Sequence, residues 1–504
     1  PGAARLELFS ADATGAKAPS AAVRLSAIPA AESPFADWTI YQIVLDMFKN
    51  GNPGNDGAGI TGWKHPRYAG GDLQGVLDEA DYLKELGVNA VWLSPVFAAR
   101  SSHGYDVTNY YRISEALGVP GDPKASQALF DRVVEALHQR GIRVILDIPL
   151  NHAAAAYQRP AGDPQGLSPR ATGPRQEAEK LWDSWGSGYK YWDFDHAPTR
   201  KFLQGVALHW LTEENVDGLR LDYVRGVPHD FWVELFAAVK KAKPGAFLVG
   251  ECWADAQGEE GNEREIESYY EKVAGGPQFD SLLDFPLQMV MTDVFARGDS
   301  AVDLETWLQS EAAVYPAGSL PTYFLDNHDL SRFLAWADPP ARLLAAVGFM
   351  ASLSGPEVLL YGTEAGLSHG GPKPGFTDVG RIPMDWKAPA SDLQPKIAAI
   401  LKARGLHPAL TRGSRLPLKV DKDFLVMAKV APQEIALVGV NLSSQAKDID
   451  LDLAALLPEG SHPTPVLGDA PLTPGTTAGA FRWHLPPLST SVAAVATVAV
   501  SAKP

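Results

Sequence analysis

The chain is poor in cysteine, in long apolar runs and in positive charge. Its single cysteine, Cys252, cannot form an internal disulfide, and its place in an apolar run predicts a small buried side chain rather than a nucleophile. No run approaches the length of about 20 apolar residues that a membrane-spanning helix requires. Lys and Arg number 44 against 60 Asp and Glu, a net charge of −16, which repels phosphate backbones. We therefore expect neither nucleic acid nor a membrane as a partner.

Eight short apolar runs alternate with amphipathic stretches along most of the 504 residues. One such stretch, "LQGVLDEADYLKELG", places apolar residues at helical spacing and ends at Gly87. A strand followed by a helix, repeated eight times, predicts a closed parallel barrel of the (β/α)8 type in an α/β protein. The apolar runs begin at residues 40, 88, 143, 216, 246, 281, 321 and 357.

Other segments flank or interrupt this predicted barrel, which occupies residues 37–152 and 199–411. Residues 1–36 are rich in Ala, Ser and Pro, and predict an N-terminal linker or edge strand. The polar stretch 153–198 predicts a small inserted domain after the third strand. From 412 to 504, alternating runs without helices between them predict a C-terminal antiparallel β-sandwich.

Acidic side chains follow several of the predicted barrel strands. Arg220 and Asp222 end the fourth strand, and Glu251 ends the fifth. Asn327, His328 and Asp329 follow the seventh. The active sites of such barrels lie at the carboxyl ends of the strands, and alternate residues of a strand share a face. We therefore expect three carboxylates to converge on one mouth.

Three converging carboxylates suit the cleavage of a glycosidic bond. Taken alone, each acid would most often be a solvated loop residue, but three at corresponding strand ends form a pattern. A retaining glycosidase needs one carboxylate as nucleophile and a second, about 5 to 5.5 Å away, as proton donor. Arg220 next to Asp222 favours an ionised nucleophile, whereas a more apolar setting at Glu251 would keep an acid protonated.

Four ordered motifs resemble the signature blocks of the α-amylase family of glycoside hydrolases. They are "DIPLNH" (147–152), "GLRLD" (218–222), "GECW" (250–253) and "FLDNHD" (324–329), each at the end of a predicted strand. "HGYD" (103–106) and "RIPMDW" (381–386) extend the resemblance. It covers roughly residues 38 to 500 and implies the same barrel, inserted domain and C-terminal domain.

The resemblance also implies roles for single residues. Asp222 matches the family's nucleophile and Glu251 its general acid and base, while Asp329 matches the carboxylate that stabilises the charged sugar. Asp147 matches a structural support of the site. The positions implied for substrate binding are His103, Tyr105, His152, Arg220, Arg225, Asn327 and His328.

The segment "DYVRGVP" departs from the family pattern directly after the nucleophile. Many α-amylases carry a Lys and then a His here, on the leaving-group side of the substrate, whereas this chain has Arg225 and Gly226. Arg225 keeps the charge, and Gly226 leaves space where a ring would be, which predicts altered acceptor binding, with either more transfer to sugars or tolerance of branched linkages. Alternatively, Gly226 serves only a turn before Pro228.

The segment "NGNPGNDG" (50–57), with "GGDLQG" from residue 70, contains many oxygen ligands at turn positions. By composition alone it could be an ordinary Asn-Gly turn. It resembles, however, a calcium loop of cyclodextrin glucanotransferases and related amylases, and calcium accepts such oxygens. The matching positions are Asn50, Asn52, Asn55, Asp56, the carbonyl of Gly70, and Asp72. Ca²⁺ is thus the predicted cofactor.

A second calcium site is implied between the barrel and the inserted domain. Its family ligands fall near Asn151, Asp193 and the carbonyl of Gly226. The inserted domain is also rich in aromatic residues, most of which we expect to be core while one or two serve as a sugar platform. These aromatic residues are Trp182, Trp185, Tyr189, Tyr191 and Trp192.

The leading functional hypothesis is a retaining hydrolase of α-1,4-glucans, resembling maltogenic and maltooligosaccharide-forming amylases and neopullulanases. Its substrates would be starch, maltooligosaccharides, cyclodextrins or pullulan. A 4-α-glucanotransferase is the first alternative, because it uses the same residues and differs in whether water or a sugar attacks the intermediate. The second is a non-catalytic binding homologue, although all three acids are present. We expect a monomer, and the calcium loop and the first residue, Pro1, favour a secreted or periplasmic protein.

Overall fold

The computed structural model describes residues 9–11, 17–19, 28, 30–61, 68–158, 167–168, 189–253, 258–271, 275–369, 371–388, 391–457 and 460–496. Strands and helices are numbered along the chain. The predicted N-terminal linker contains two short paired strands, β1 (Phe9–Ala11) and β2 (Lys17–Pro19). Ile28 then forms an isolated bridge with Arg415 of the C-terminal region.

Eight parallel strands close into a barrel. Each of the eight predicted apolar runs contains one of them, so the predicted fold class is confirmed. Seven of the eight strands are buried along their whole length because the barrel interior and the surrounding helices cover both faces. The barrel strands are β3 (Thr39–Ile43), β4 (Ala90–Leu93), β7 (Arg143–Ile148), β11 (Gly218–Leu221), β12 (Phe247–Gly250), β13 (Ser281–Leu283), β14 (Pro321–Phe324) and β15 (Glu357–Leu360).

Helices connect the barrel strands. Helix α4 illustrates how they form: Asp122 accepts a hydrogen bond from the Ala125 amide at its start, Pro123 occupies the first turn, and Leu129, Val133 and Leu137 bury one face. The helices are α1 (Leu45–Phe48), α2 (Leu73–Asp78), α3 (Ala80–Leu86), α4 (Pro123–Gln139), α5 (Ala197–Thr212), α6 (His229–Ala242), α7 (Gly258–Tyr270), α8 (Phe285–Met291), α9 (Ala301–Val314), α10 (Ala341–Met350), α11 (Leu393–Leu406) and α12 (Pro408–Arg412). Shorter 3-10 turns cover Pro53–Asn55, Val224–Gly226 and Phe333–Ala335, and a π-helical turn covers Thr292–Arg297.

Two small sheets lie beyond the barrel strands at its mouth. The hairpin β5 (Phe97–Ala99) and β6 (Val107–Ile113) follows the second barrel strand. In the predicted inserted domain, β10 (Lys190–Trp192) pairs with β8 (His152–Ala153) and β9 (Leu167–Ser168). Most of the segment 153–198 lies outside the described residues.

The C-terminal region forms two antiparallel sheets around one apolar cluster. Trp483 and Leu485 from one sheet pack with Val426 and Leu437 from the other, and all four are buried. The larger sheet contains β16 (Ser414–Asp421), β17 (Phe424–Ala431), β18 (Glu434–Asn441), β20 (Thr464–Leu467) and β23 (Ser489–Ala496). The smaller contains β19 (Lys447–Asp452), β21 (Leu472–Pro474) and β22 (Ala480–Leu485).

Within the described parts of the chain, none of the helices combines the length and the apolar character needed to cross a bilayer.

Candidate active site

Polar side chains on or directly after four barrel strands, β7, β11, β12 and β14, lie at the same mouth of the barrel. In the parallel pairing of β7 with β11, Asp147 lies opposite Arg220. Asp222 follows β11 by one residue, and Glu251 follows β12 directly. The residues after β14 include Asp329, which is 8% exposed. Two of the three acids predicted to converge, Asp222 and Glu251, contact one buried arginine, and the charge of Asp329 raises the pKa of both.

Arg220 is fully buried and contacts three carboxylates. Its Nη1 donates to both oxygens of Asp147, at 2.8 and 3.0 Å, and to Oδ1 of Asp222 at 3.1 Å. Its Nη2 forms an ion pair with Oε1 of Glu251 at 2.5 Å. The guanidinium also lies 5.1 Å from the centre of the Trp92 ring. One cation thus joins the proposed nucleophile, the proposed acid and a third carboxylate.

Asp147 is held by three neighbouring side chains. Its Oδ2 accepts hydrogen bonds from Trp92 Nε1 at 2.9 Å and from the Tyr105 hydroxyl at 2.8 Å. With the two bonds from Arg220, both of its oxygens are engaged. Because Asp147 is also fully buried, this carboxylate orients its neighbours.

A left-handed turn at Tyr223 links the two catalytic candidates. Its φ of 37° is rare for a residue with a bulky side chain. This turn points the Tyr223 amide at Oε2 of Glu251, which accepts it at 3.0 Å. The strain immediately after Asp222 is therefore coupled to the position of Glu251.

A chain of hydrogen bonds orders His328 and Tyr105. The amide nitrogen of Gln42 lies 2.6 Å from His328 Nδ1, so Nδ1 is the acceptor and the ring proton lies on Nε2. Nε2 in turn lies 2.6 Å from the Tyr105 hydroxyl and 3.1 Å from Oδ2 of Asp329. The His328 and Tyr105 rings are nearly parallel, with 5.6 Å between their centres.

Asp329 contacts a cation, Arg381, in addition to the neutral His328. Arg381 Nη2 contacts its Oδ1 at 2.5 Å, and Arg381 Nε donates to the His328 carbonyl at 2.8 Å. Burial acts to raise the pKa of Asp329, but His328 and Arg381 outweigh it and hold that pKa below the ordinary value. Asp329 is therefore ionised at neutral pH.

The other two acids show the opposite behaviour. Burial raises the pKa of Asp222 well above its ordinary value, against the pull of Arg220, and the charge of Glu251 raises it further. Burial also raises the pKa of Glu251 to about 7, again opposed by Arg220. One guanidinium cannot neutralise three carboxylates, so this pair retains a proton near neutral pH.

Three histidines around the site are neutral. Burial lowers the pKa values of His103 and His152 to about 4 and that of His328 to about 3. His103 packs beside the Tyr105 ring. His152 contacts the Asn151 side chain at 2.8 Å and the Tyr105 carbonyl at 2.9 Å. They can act as hydrogen-bonding groups without adding charge to the mouth.

Two residues predicted to bind substrate have other contacts in the structure. Arg225 points its Nη1 at the Trp253 carbonyl, 3.4 Å away, and pairs with Glu265 at 3.4 Å. Asn327 is 1% exposed, and its Oδ1 accepts the Asp329 amide at 2.8 Å. Both therefore support the residues beside the cleft, and their roles toward substrate stay predictions.

Three residues of the site were missed by the motif analysis. Gln42 and Trp92 lie inside apolar runs, and only their polar groups among buried neighbours could have indicated them. Arg381 begins the "RIPMDW" motif, which extends the family resemblance but does not by itself indicate that this arginine binds Asp329. Each reaches the site through tertiary contacts rather than through a pattern local to its own strand.

The predicted calcium loop is drawn together around Gly70. Asn50 Nδ2 donates to Asp56 Oδ1 at 2.8 Å, and a side chain at position 70 would collide with both groups at 2.7 Å. Asp72 is instead saturated by loop amides, including those of Asn52 at 2.8 Å and Gly75 at 2.7 Å. Among the described residues, the buried oxygens Asn50 Oδ1 and Asn55 Oδ1 have no hydrogen-bond donor.

The three residues predicted for a second calcium are not joined by hydrogen bonds within the described parts of the chain. The Asn151 side chain faces His152, and Asp193 Oδ1 accepts the amide of Asp195 at 3.0 Å. Gly226 is buried in the turn after Tyr223. This second site stays a prediction.

The predicted aromatic cluster divides into two groups. Trp192 is fully buried, Tyr191 is 4% exposed, and both are core residues. Tyr189 stacks on His152 with 4.3 Å between ring centres, beside the mouth. Trp182 and Trp185 lie outside the described residues. The platform predicted from this cluster therefore has Tyr189 as its described candidate.

Comparison with known proteins identifies the family. The family profile described as "Alpha amylase, catalytic domain" matches residues 42–165 and 190–388. The chain belongs to the α-amylase family. It is thus an α-amylase-family glycosidase, and the matched residues contain the strand ends that carry Asp147, Asp222, Glu251 and Asp329.

Relatives of known activity and structure lie in the same family. A cyclomaltodextrinase from Bacillus sp is 30% identical over 449 residues, which are 80% of this chain and 72% of the relative. Neopullulanase 2 of Thermoactinomyces vulgaris is 30% identical over 81% of this chain and 69% of its own length. The crystal structure of an Anoxybacillus α-amylase superimposes with a TM-score of 0.78 at 28% identity, covering 93% of this chain and 99% of that one.

Proposed function

We propose that this α-amylase-family enzyme hydrolyses α-1,4-glucosidic bonds with retention of configuration. The observation that carries the proposal is the contact of one guanidinium with both Asp222 and Glu251. Two carboxylates on the same guanidinium lie a few ångströms apart, which favours the about 5 to 5.5 Å spacing of a retaining pair over the wider spacing of an inverting pair.

Asp222 is the better nucleophile of the pair. Its side chain is 15% exposed against 6% for Glu251, so water solvates its charge more and the shared proton resides on Glu251. The Asp222 carboxylate attacks the anomeric carbon while Glu251 gives its proton to the departing glycosidic oxygen. Glu251 then removes a proton from the water that cleaves the glycosyl ester, and Asp222 leaves as a carboxylate.

Asp329 fits a role in stabilising the transition state. It is ionised because Arg381 and His328 lower its pKa, and a fixed negative charge next to the reaction stabilises a sugar that develops positive charge. Tyr105, held by His328 and Asp147, presents a ring suited to a sugar face.

The substrate class is inferred from the relatives. The names cyclomaltodextrinase and neopullulanase describe enzymes of cyclodextrins and pullulan. We infer that this chain acts on the same class of α-glucan, with maltooligosaccharides as its simplest substrates. Transfer of the glycosyl group to a sugar is the alternative outcome for the same intermediate.

The function is tested by following maltoheptaose and β-cyclodextrin digests over time by chromatography, with Glu251→Gln as the inactive control. Products shorter than the substrate, released as α-anomers in proton NMR, support the retaining hydrolase. Early products longer than maltoheptaose support the transferase, and β-anomers contradict the retaining mechanism.

Calcium at the loop around Gly70 is a further part of this proposal. The donor set fits the ion because two buried amide oxygens, Asn50 Oδ1 and Asn55 Oδ1, lack donors next to the Asp56 carboxylate. Within the described residues no three His, Cys, Asp or Glu side chains form a metal group, so amide and main-chain oxygens would supply most ligands. Bound calcium would add positive charge that joins residues 50–56 to residue 70.

Calcium binding is tested by unfolding. Removal of calcium with EDTA should lower the melting temperature, and added Ca²⁺ should restore it. Asp56→Asn should weaken this response, whereas Asp78→Asn, on the exposed end of α2, should not. An unfolding temperature that is indifferent to both EDTA and Ca²⁺ contradicts the site. Export and a monomeric state stay predictions.

A further inference from the structure

Phe376 is an exposed aromatic residue in the loop that follows the last barrel strand. Its side chain is 51% exposed, and the other exposed large hydrophobic residues of the described chain are the aliphatic Val302, Leu406 and Val420. Single exposed apolar residues are common. A half-exposed aromatic ring beside an active-site mouth is a different case, because aromatic faces pack well against sugar rings.

The loop carrying Phe376 is tied to the residues that follow β14. The Ser331 hydroxyl accepts the Lys373 amide at 2.8 Å and donates to the Lys373 carbonyl at 2.9 Å. The Thr377 amide donates to the Asp329 carbonyl at 2.9 Å. Phe376 is therefore held within one residue of a direct contact to Asp329.

Phe376 also faces an aromatic residue next to the acid. Its ring centre lies 6.4 Å from that of Trp253, with 35° between the planes. Trp253 in turn stacks on Phe285 at 5.0 Å and 5°, and it follows Glu251 by two residues. The pair Phe376–Trp253 thus connects the Asp329 side of the mouth with the Glu251 side.

We propose that Phe376, together with Trp253, forms an aromatic platform for the glucosyl units on the leaving-group side of the cleaved bond. This rests on the proposed glycosidase function. Glu251 protonates the departing oxygen, so the departing sugar passes the residues that flank Glu251. An acceptor sugar occupies the same place in reverse: its hydroxyl gives a proton to Glu251 and bonds to the anomeric carbon as the ester bond to Asp222 breaks. Phe376 is therefore a specificity-determining residue for chain length and for transfer.

The test compares a substrate with sugars on the leaving-group side to one without. Maltoheptaose places glucosyl units there, whereas α-maltosyl fluoride releases only fluoride. Phe376→Ala should lower kcat/KM on maltoheptaose about three- to tenfold more than on maltosyl fluoride, the size expected for one aromatic contact. It should lower the fraction of transfer products with maltose as acceptor by a similar factor. Phe376→Tyr should keep both, and Leu406→Ala, exposed on α11, should change neither.

The possible outcomes separate this proposal from the function on which it rests. Equal losses on the two substrates, or no loss on either, overturn the platform and leave the glycosidase intact. If the unaltered protein cleaves neither substrate, the proposed function fails. Calorimetry of maltoheptaose with Phe376→Ala and Phe376→Tyr then decides the platform, since only the alanine variant should lose affinity by about three- to tenfold.

Discussion

Two fully buried arginines lie at opposite ends of the barrel and have opposite surroundings. Arg404, at the end where the strands begin, donates to the carbonyls of Ala36, Ala351 and Leu353 at 2.8–3.0 Å. It pairs with one carboxylate, Glu357, at 3.3 Å. Arg220, at the end where the strands finish, is shared by Asp147, Asp222 and Glu251.

The ratio of charges explains what each arginine does. Arg404 donates four hydrogen bonds to main-chain carbonyls, and its one charge is matched by the one carboxylate of Glu357. Burial raises the pKa of Glu357 as well, and Arg404 opposes that rise. Burial raises the pKa values of Asp222 and Glu251, and the three carboxylates that share the single charge of Arg220 raise them further by mutual repulsion. A balanced buried charge cluster stabilises the fold, and an unbalanced one retains a proton for chemistry.

The largest expected effect is on activity, and it follows from a substitution in the mouth cluster, which consists of Arg220, Asp147, Asp222 and Glu251. Glu251→Gln should lower kcat/KM on maltoheptaose about 100- to 10,000-fold, because the departing oxygen loses its proton donor. Its melting temperature should stay equal or rise, since a carboxyl group that crowds Asp147 and Asp222 is replaced by an amide that cannot ionise. The matched change at the other end of the barrel, Glu357→Gln, should lower the melting temperature and leave kcat/KM nearly unchanged. A stability loss in Glu251→Gln comparable to that in Glu357→Gln would contradict the distinction.

A substitution of Arg404, at the opposite end of the barrel, should lower the stability of the fold rather than the activity. Arg404→Leu leaves Glu357 unpaired and several buried carbonyls without donors, which should cost about 3–5 kcal/mol of unfolding free energy. Denaturant unfolding measures this loss, and kcat/KM of the folded fraction should stay within about twofold because Arg404 lies at the far end from the mouth. A large loss of kcat/KM in Arg404→Leu without a change in stability would contradict the separation of a stabilising end of the barrel from a catalytic end.

The proton held at the mouth predicts a pH profile. Because the pKa of Glu251 is about 7, kcat/KM on maltoheptaose should fall about tenfold per pH unit above that value, as the acid form is lost. Hydrolysis of α-maltosyl fluoride needs no proton donor for its leaving group and should fall later or less steeply. Identical profiles for the two substrates would remove Glu251 from the role of acid.

Another buried pair of carboxylates, Asp284 and Glu311, should give a smaller effect on stability. Asp284 hydrogen-bonds to Glu311, burial raises the pKa of Asp284 to about 7, and that of Glu311 is raised well above its ordinary value. Glu263 adds to the repulsion, Arg415 opposes it at Glu311, and Tyr270, Tyr315 and Tyr323 are the other titratable groups that face the pair.

The sign of this effect follows from proton binding. The folded state binds the shared proton more tightly than the unfolded chain, so the stabilisation is complete below the ordinary carboxyl pKa of about 4. It is lost as the pH rises through about 7. Melting temperatures measured from pH 5 to pH 8 should fall, and Glu311→Gln should flatten that fall. An unchanged slope in this variant would place the titration elsewhere.

Patterns local to the chain predicted the barrel and the acids at its mouth. Each apolar run matched a barrel strand because strands buried on both faces need continuous apolar sequence. The polar residue after a strand was then placed at the mouth by the parallel arrangement alone. Asp222 and Glu251 could be found in this way without any knowledge of contacts.

Contacts between distant segments could not be predicted in this way. Gln42 binds His328 across 286 residues, and Arg381 reaches Asp329 from the loop after β15. The contact of Arg225 with Glu265 is likewise absent from any local pattern, and the role of Arg225 toward substrate stays a prediction. Phe376 has no sequence signal, since its place over Trp253 depends on the hydrogen bonds of Lys373 and Thr377.

The most direct test of the account is to trap the glycosyl ester at the mouth cluster. The protein is incubated with a 5-fluoro-α-glucosyl fluoride, which forms the ester faster than water removes it, and is then digested and sequenced by mass spectrometry. We expect one added sugar on the peptide that contains Asp222 and none in Asp222→Asn. A sugar on Glu251 or Asp329, or no adduct in a protein that turns over maltoheptaose, would contradict it.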